Sequence, residues 1–342
     1  MDGMQKEKGV AAAPFPVSDH CDGYRFFNPD DTDRKRLLFK AARRRLRGRR
    51  IAWPAPAPDP TFAPPPGVVT PASVAISFIN HASFLIRFPE IVVLTDPIFS
   101  ERCSPVSWAG PKRARPPGIA LADLPRPDLV LLSHCHYDHM DLPSLRALQR
   151  LHAPRFVTML GNARTLRRLG IEAVELDWWQ MTFCGPLTIT AAPARHFAAR
   201  TPFDIGRSLW GGFMMETEAG RVLFAGDSAA GTHWDEIRAR LGAPDVALLP
   251  IGAYEPRPLM AAVHMNPAEA VQAHLALGAK QSIGMHFGTF QLTDEAIDAP
   301  IVDLGIACRA AELDPAEFGT HGFGETRIYG LKSDPIDTGR SD

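Results

Sequence analysis

The chain has 342 residues, with 37 Lys plus Arg against 38 Asp plus Glu and a formal charge of −1. Ten of the seventeen residues from Arg34 to Arg50 are basic and none is acidic, which leaves 27 basic against 38 acidic side chains elsewhere, a balance of −11. That layout excludes a generally basic nucleic-acid binder, because most of the surface repels phosphate backbones.

A hydrophobic share of 45% and a charged share of 22% are ordinary for a globular protein. No stretch approaches the roughly 20 apolar residues of a membrane-spanning helix. The opening MDGMQKEKGVAAAPFPVSDH lacks the apolar region of a secretory signal. Cys21, Cys103, Cys135, Cys184 and Cys308 are odd in number and dispersed, as expected for reduced thiols in a cytoplasmic protein.

In chain order, DGYRFFNP supplies aromatic anchors, and residues 31–50 follow with Leu38, Ala42 and Leu46 on one stripe. That spacing predicts a short helix with a basic face. Eight of the 32 prolines then fall between Pro54 and Pro71, the mark of an extended strap or semi-rigid connector. From Ser73 the texture changes to short β-branched runs: SVAISFI, SFLIRF, IVVLTDP, PDLVLLS, RFVTML, AVELD, LTITAAP, GFMMETEAG, RVLFAGD, VALLPIG and SIGMHFG. These predict strands. Helical patterns fit between them at LPSLRALQRL, ARTLRRLG, HWDEIRARLG and NPAEAVQAHLALG. Strands with interspersed helices predict an α/β sandwich. Residues 73–342 are read as one catalytic domain behind an N-terminal extension of residues 1–72.

The sharpest chemical feature is His134-Cys135-His136-Tyr137-Asp138-His139, directly after an apolar strand. Alternation at a strand end turns His134 and His136 the same way and Cys135 away from them. Asp138 and His139 can reach a second position. Three histidines and one aspartate supply the nitrogen and oxygen donors that suit zinc, although iron or manganese takes the same donors. His196, Asp227 and His286 each follow a further strand. The set divides into His134, His136 and His196 on one metal and Asp138, His139 and His286 on the other. Asp227 bridges them with its two oxygens. Such a pair of ions is suited to hydrolysis.

On these residues the chain resembles the metallo-β-lactamase fold superfamily. Within it, the chain is similar to the N-acyl-phosphatidylethanolamine-hydrolysing phospholipase D family. The narrower likeness rests on LTDPIFSERCSPVSWAGPKR, LLSHCHYDHMD, LFAGDS, PIGAYEPR, VHMNPAEAV and MHFGTF. It implies an αββα sandwich with two Zn2+ at one edge, held by the seven residues above. It also implies a phosphodiesterase in which a metal-bound hydroxide attacks phosphorus, with Asp138, Asp227 and His264 as catalytic residues. His264 matches a histidine that meets the substrate head group. Asp96 matches a position near the site, or it caps a strand end. Tyr254 and Glu255 shape the pocket or its backbone. Asn80 and Cys135 depart from the residues more common in relatives.

The expected substrate is an N-acyl-phosphatidylethanolamine-like phospholipid or another phosphodiester. A lactonase or other small-molecule hydrolase on the same metals is the alternative. A nuclease with an inserted clamp domain is disfavoured, because only 58 residues separate Asp227 from His286. The basic run from Arg34 to Arg50 is expected either to be a solvated helix face or to hold the protein peripherally on an anionic membrane, where each cation contributes about 1 kcal/mol. No nucleic-acid partner is expected. A homodimer fits the habit of relatives.

Overall fold

The computed structural model describes residues 13–29, 51–54 and 69–331. The basic helix expected over 31–50 and most of the proline-rich strap lie outside the described residues. A short hairpin, β1 (Val17–Ser18) and β2 (Cys21–Asp22), comes first. The next strands are β3 (Ser73–Asn80), β4 (Ser83–Arg87), β5 (Val92–Thr95), β6 (Leu129–Leu132), β7 (Arg155–Met159) and β8 (Ala173–Leu176). The later ones are β9 (Met181–Cys184), β10 (Leu187–Ala192), β11 (Gly212–Thr217), β12 (Gly220–Phe224), β13 (Val246–Pro250), β14 (Gln281–Met285), β15 (Phe318–Thr320) and β16 (Thr326–Gly330).

They form two seven-stranded sheets, ordered β16-β3-β4-β5-β6-β7-β8 and β15-β14-β13-β12-β11-β10-β9. One hydrophobic cluster draws on both sheets, from Phe78, Leu131 and Val157 to Phe213, Leu248 and Ile283. The helices are α1 (Leu142–His152), α2 (Ala163–Arg167), α3 (His233–Leu241), α4 (Arg257–Met260), α5 (Pro267–Leu277) and α6 (Ala299–Ala310). Every residue of β3, β6 and β13 is buried. Strands covered on both faces need apolar side chains on both, which is why β6 and β13 run nearly unbroken in Val, Leu and Ala. Edge strand β9 alternates instead, and Met181 and Phe183 point to solvent.

Parallel pairing runs from β5 through β8 in one sheet and from β12 through β15 in the other. The loops after β5, β6, β12 and β14 therefore leave at the carboxyl ends of parallel strands, the usual place for a ligand in such sheets. Helix α5 begins with a full capping box, in which the Asn266 side chain accepts from the Glu269 amide while Glu269 reaches back to the Asn266 amide. That fixes the chain just beyond His264.

Ahead of the sandwich, residues 13–29 are packed onto it. Phe26 is fully buried, its amide donates to the Gly206 carbonyl at 2.7 Å, and its ring lies 4.8 Å from that of Phe15. His20 bonds Asp177 at 2.8 Å and stacks on Trp178. Of the aromatic anchors of DGYRFFNP, Phe26 is thus a core residue while Tyr24 is 53% exposed, and losing the Phe26 ring costs about 3–5 kcal/mol. Deleting residues 31–50 should, on the docking expectation, weaken binding to anionic vesicles. Deleting 13–50 should lower Tm as well. Equal vesicle binding by the full chain and the 31–50 deletion removes the docking expectation.

Candidate metal centre

Strand β6 ends at Leu132, two residues before the first histidine, so the motif lies in the turn that follows and not in the strand itself. The amides of His139 and Met140 both donate to the His136 carbonyl, at 3.2 and 2.8 Å. That turn still directs the two imidazoles together: His134 Nε2 lies 2.8 Å from His136 Nδ1, which lies 3.3 Å from His196 Nε2. Cys135 points away, and its thiol accepts from Ser208 Oγ at 3.3 Å. His196 is carried in by the loop after β10.

The second half forms beside it. Asp138 Oδ2 lies 3.5 Å from His139 Nε2 and 3.4 Å from His286 Nε2. Asp227 stands between the halves. Its Oδ2 is 3.1 Å from His139 Nε2 and from His286 Nε2, 3.6 Å from His196 Nε2 and 3.9 Å from His134 Nε2. The turn that delivers Asp227 needs glycine at 226: φ is 63°, and a Cβ there would meet the Gly211 carbonyl oxygen at 2.6 Å and Ser133 Cβ at 2.9 Å. All seven residues expected from the sequence therefore meet in one cluster.

Further contacts orient these side chains. Asp96, fully buried, accepts from the Ser133 amide at 2.8 Å, from Ser133 Oγ at 2.5 Å and from His139 Nδ1 at 2.6 Å. It closes the end of β5 and orients a histidine of the cluster, so its two expected roles are one. His196 Nδ1 donates to the Val263 carbonyl at 2.9 Å, which leaves Nε2 with its lone pair facing Asp227. His264 sits at the wall of the cluster, its ring 5.0 Å from His196 and 5.2 Å from His286, with Nδ1 buried and unpaired. Arg257 holds that loop, bonding the His264 carbonyl at 3.0 Å and both Glu269 oxygens at 2.7 and 2.8 Å. Tyr254 bonds Asp303 at 2.5 Å and Glu255 accepts from the Arg257 amide at 3.0 Å, so both shape the backbone and neither joins the cluster.

Two neighbours carry no sequence signal of their own. The Asn28 side chain donates to the His196 carbonyl at 3.0 Å and accepts from the His196 amide at 3.2 Å, clamping that backbone from 168 residues away. His81, in the turn between β3 and β4, bonds Asp138 Oδ2 at 2.9 Å through Nε2. The string NHAS preceding a strand could have flagged it only by residue type.

The electrostatics are those of a cation site. Burial, reinforced by neighbouring imidazoles, holds His134 well below its ordinary value and His136 down at about 3. Those rings are neutral and can donate lone pairs. His139 and His286 go the other way: burial opposes their charge, but Asp227 and Asp138 outweigh it, so His139 lies well above its usual value and His286 is pushed up to about 9. Burial alone would also favour neutral carboxyls, yet His139 and its neighbours hold Asp138 and Asp227 well below the carboxylate range. Asp227 Oδ1, His139 Nε2 and both nitrogens of His286 are buried without an aligned hydrogen bond. Each such group costs about 1–3 kcal/mol unpaired. Cations between the imidazoles and carboxylates would remove that cost, so the residues present fit two metal ions.

Residues 92–287 match the Beta-lactamase superfamily domain. The chain belongs to the beta-lactamase superfamily. Its two sheets with outer helices are the superfamily's metallo-β-lactamase fold, shared with the metallo hydrolase Igni18 of Ignicoccus hospitalis at a TM-score of 0.58 and 21% identity, over 76% of this chain and all of that one. The chain is 36% identical to N-acyl-phosphatidylethanolamine-hydrolyzing phospholipase D 1 of Caenorhabditis elegans over 63% of this chain and 64% of the worm protein. It is 30% identical to a metal-dependent hydrolase of Methanopyrus kandleri over 71% of this chain and 97% of that one. The chain spans 62 to 64% of the length of the curated relatives it matches at 36 to 38% identity.

The proton balance gives a test. Without a cation, His139 and His286 keep protons near neutral pH because their pKa values are raised, to about 9 for His286. A metal ion must displace them, so its affinity should climb as pH rises toward about 9. Loading zinc at neutral pH in weak buffer should release protons to an indicator dye. PH-independent affinity with no proton release would contradict this balance.

Proposed function

We propose that the protein is a dinuclear zinc hydrolase, a phosphodiesterase of the phospholipase D type acting on N-acyl-phosphatidylethanolamine-like phospholipids. The observation that carries the reading is Asp227 Oδ2, placed within 3.1 to 3.9 Å of imidazole nitrogens from both halves of the cluster. One carboxylate shared by two sets of donors is what a two-ion hydrolytic site requires. The lipid class is supported by the likeness to the worm phospholipase D and by the long strings around the site.

His134, His136 and His196 would hold one ion, Asp138, His139 and His286 the other, and Asp227 both. Bound there, the pair would supply Lewis acidity to the phosphoryl oxygens and a water nucleophile available at neutral pH. The chain's own residues supply the rest. Asp96 and the Val263 carbonyl fix the tautomers of His139 and His196. Phe197, whose ring packs 4.6 Å from His136, shields that face of the cluster. His264 is kept neutral by burial, well below its ordinary value, and its unpaired Nδ1 is suited to hydrogen-bond a phosphodiester held beside Asp227. An uncharged ring there can orient the head group without competing for the ions.

A panel of N-acyl-phosphatidylethanolamine, simple phospholipids, a soluble aryl phosphodiester and a lactone should show the first turned over most efficiently. Asp227→Ala and His134→Ala should each lose at least about a hundredfold in kcat, since even supporting residues of metal sites are worth 10–100-fold. Undiminished turnover by both variants after metal stripping sinks the metal mechanism. Preferred turnover of the lactone moves the protein to the lactonase alternative.

A further inference from the structure

Outside the seven residues assigned to metal, His81 reaches into the cluster as Asp96 and His264 do, but on the side of Asp138. His81 lies in the turn between β3 and β4, is 1% exposed, and adopts a left-handed backbone with φ of 48°. Its Nε2 is 2.9 Å from Asp138 Oδ2, closer to that oxygen than His139 Nε2 or His286 Nε2. An ionised carboxylate only accepts, so His81 donates its Nε2–H to the oxygen that faces the second metal half. Its Nδ1 is then an unprotonated nitrogen, buried without a partner, in a ring that lies T-shaped to that of Phe290 at 5.5 Å between centroids.

The backbone of the same residue is tied to a different ligand. The His81 carbonyl accepts from the His286 amide at 2.8 Å, and the His81 amide donates to Thr289 Oγ1 at 2.9 Å. The His81 and His286 rings lie 4.0 Å apart. His286 is itself left-handed, with φ of 64°. A non-glycine residue in that region costs on the order of 1–3 kcal/mol and persists only where its surroundings over-determine it. Here two consecutive links in one interaction chain, side chain to Asp138 and carbonyl to His286, share the strain.

We propose that His81 is a positioning residue for the second metal half, registering Asp138 through its ring and His286 through its backbone. The first half makes no contact with it. The inference rests on the two-metal reading above. In the loss of His81 the second equivalent of metal should weaken, by the about 10–100-fold typical of a supporting residue, while the first is spared.

The test is a stepwise Co(II) titration of the purified full chain, read by visible absorption and by competition with a chelator, for wild type, His81→Ala and His81→Gln. Wild type should take two spectroscopically distinct equivalents. His81→Ala should bind the first normally and the second about 10–100-fold more weakly, with an altered second-site band. His81→Gln keeps an N–H donor and should recover most of the second-site affinity. Two wild-type equivalents with an unaltered spectrum in His81→Ala would overturn the assignment. Equal weakening of both equivalents with a lowered Tm in both variants would overturn it too, because that is a folding role. Fewer than two equivalents in the wild type would instead sink the two-metal reading itself.

Discussion

Asp138 and Asp227 are buried carboxylates that stay ionised, and everything around them serves that condition. An isolated buried carboxylate would take up a proton. These two do not, because seven imidazoles surround them and two of those rings, His139 and His286, lend positive charge. Proton sharing satisfies the charge but not the geometry: Asp227 faces nitrogens on two sides and aligns a hydrogen bond with few of them. Cations satisfy both. The stability of this end of the sandwich and its chemistry are therefore the same problem.

The scaffold meets that problem with backbone that sheets and helices alone would not supply. Among the described residues, seven non-glycine positions have positive φ, and four of them (His81, Asp96, Ala253 and His286) lie in the turns that build the centre or its wall. Their strain is held by the close-packed ends of β3, β5, β13 and β14 and by bonds such as Ser133 to Asp96. Strained turns on rigid strands fix donors more closely than flexible loops could, and two-ion chemistry depends on that spacing.

Much of this was legible in the sequence because metal donors at successive strand ends leave a pattern. The HCHYDH run and the spaced His196, Asp227 and His286 mark the cluster in the sequence alone. Strands such as β6 and β13 stood out because burial on both faces demands nearly unbroken apolar runs. Strand β9 did not, since an edge strand of MTFC has no such demand. Helix α6 was hidden because Ile301, Val302 and Ile306 are exposed, so its apolar residues trace no single buried stripe. Asn28 and His81 were invisible for another reason. Their meaning lies in long-range contacts to His196 and Asp138, and a lone polar residue in a turn carries no spacing signal. His134 and His136 converge as strand alternation would place them, although β6 ends before them and the turn that follows directs both rings.

The measurement that bears most directly on this account is anomalous diffraction at the zinc edge from crystals of the protein as purified. The account expects two peaks, one among His134, His136 and His196 and one among Asp138, His139 and His286, with Asp227 between them. A single peak outside that cluster, or no peak in protein that hydrolyses a phosphodiester, would contradict it.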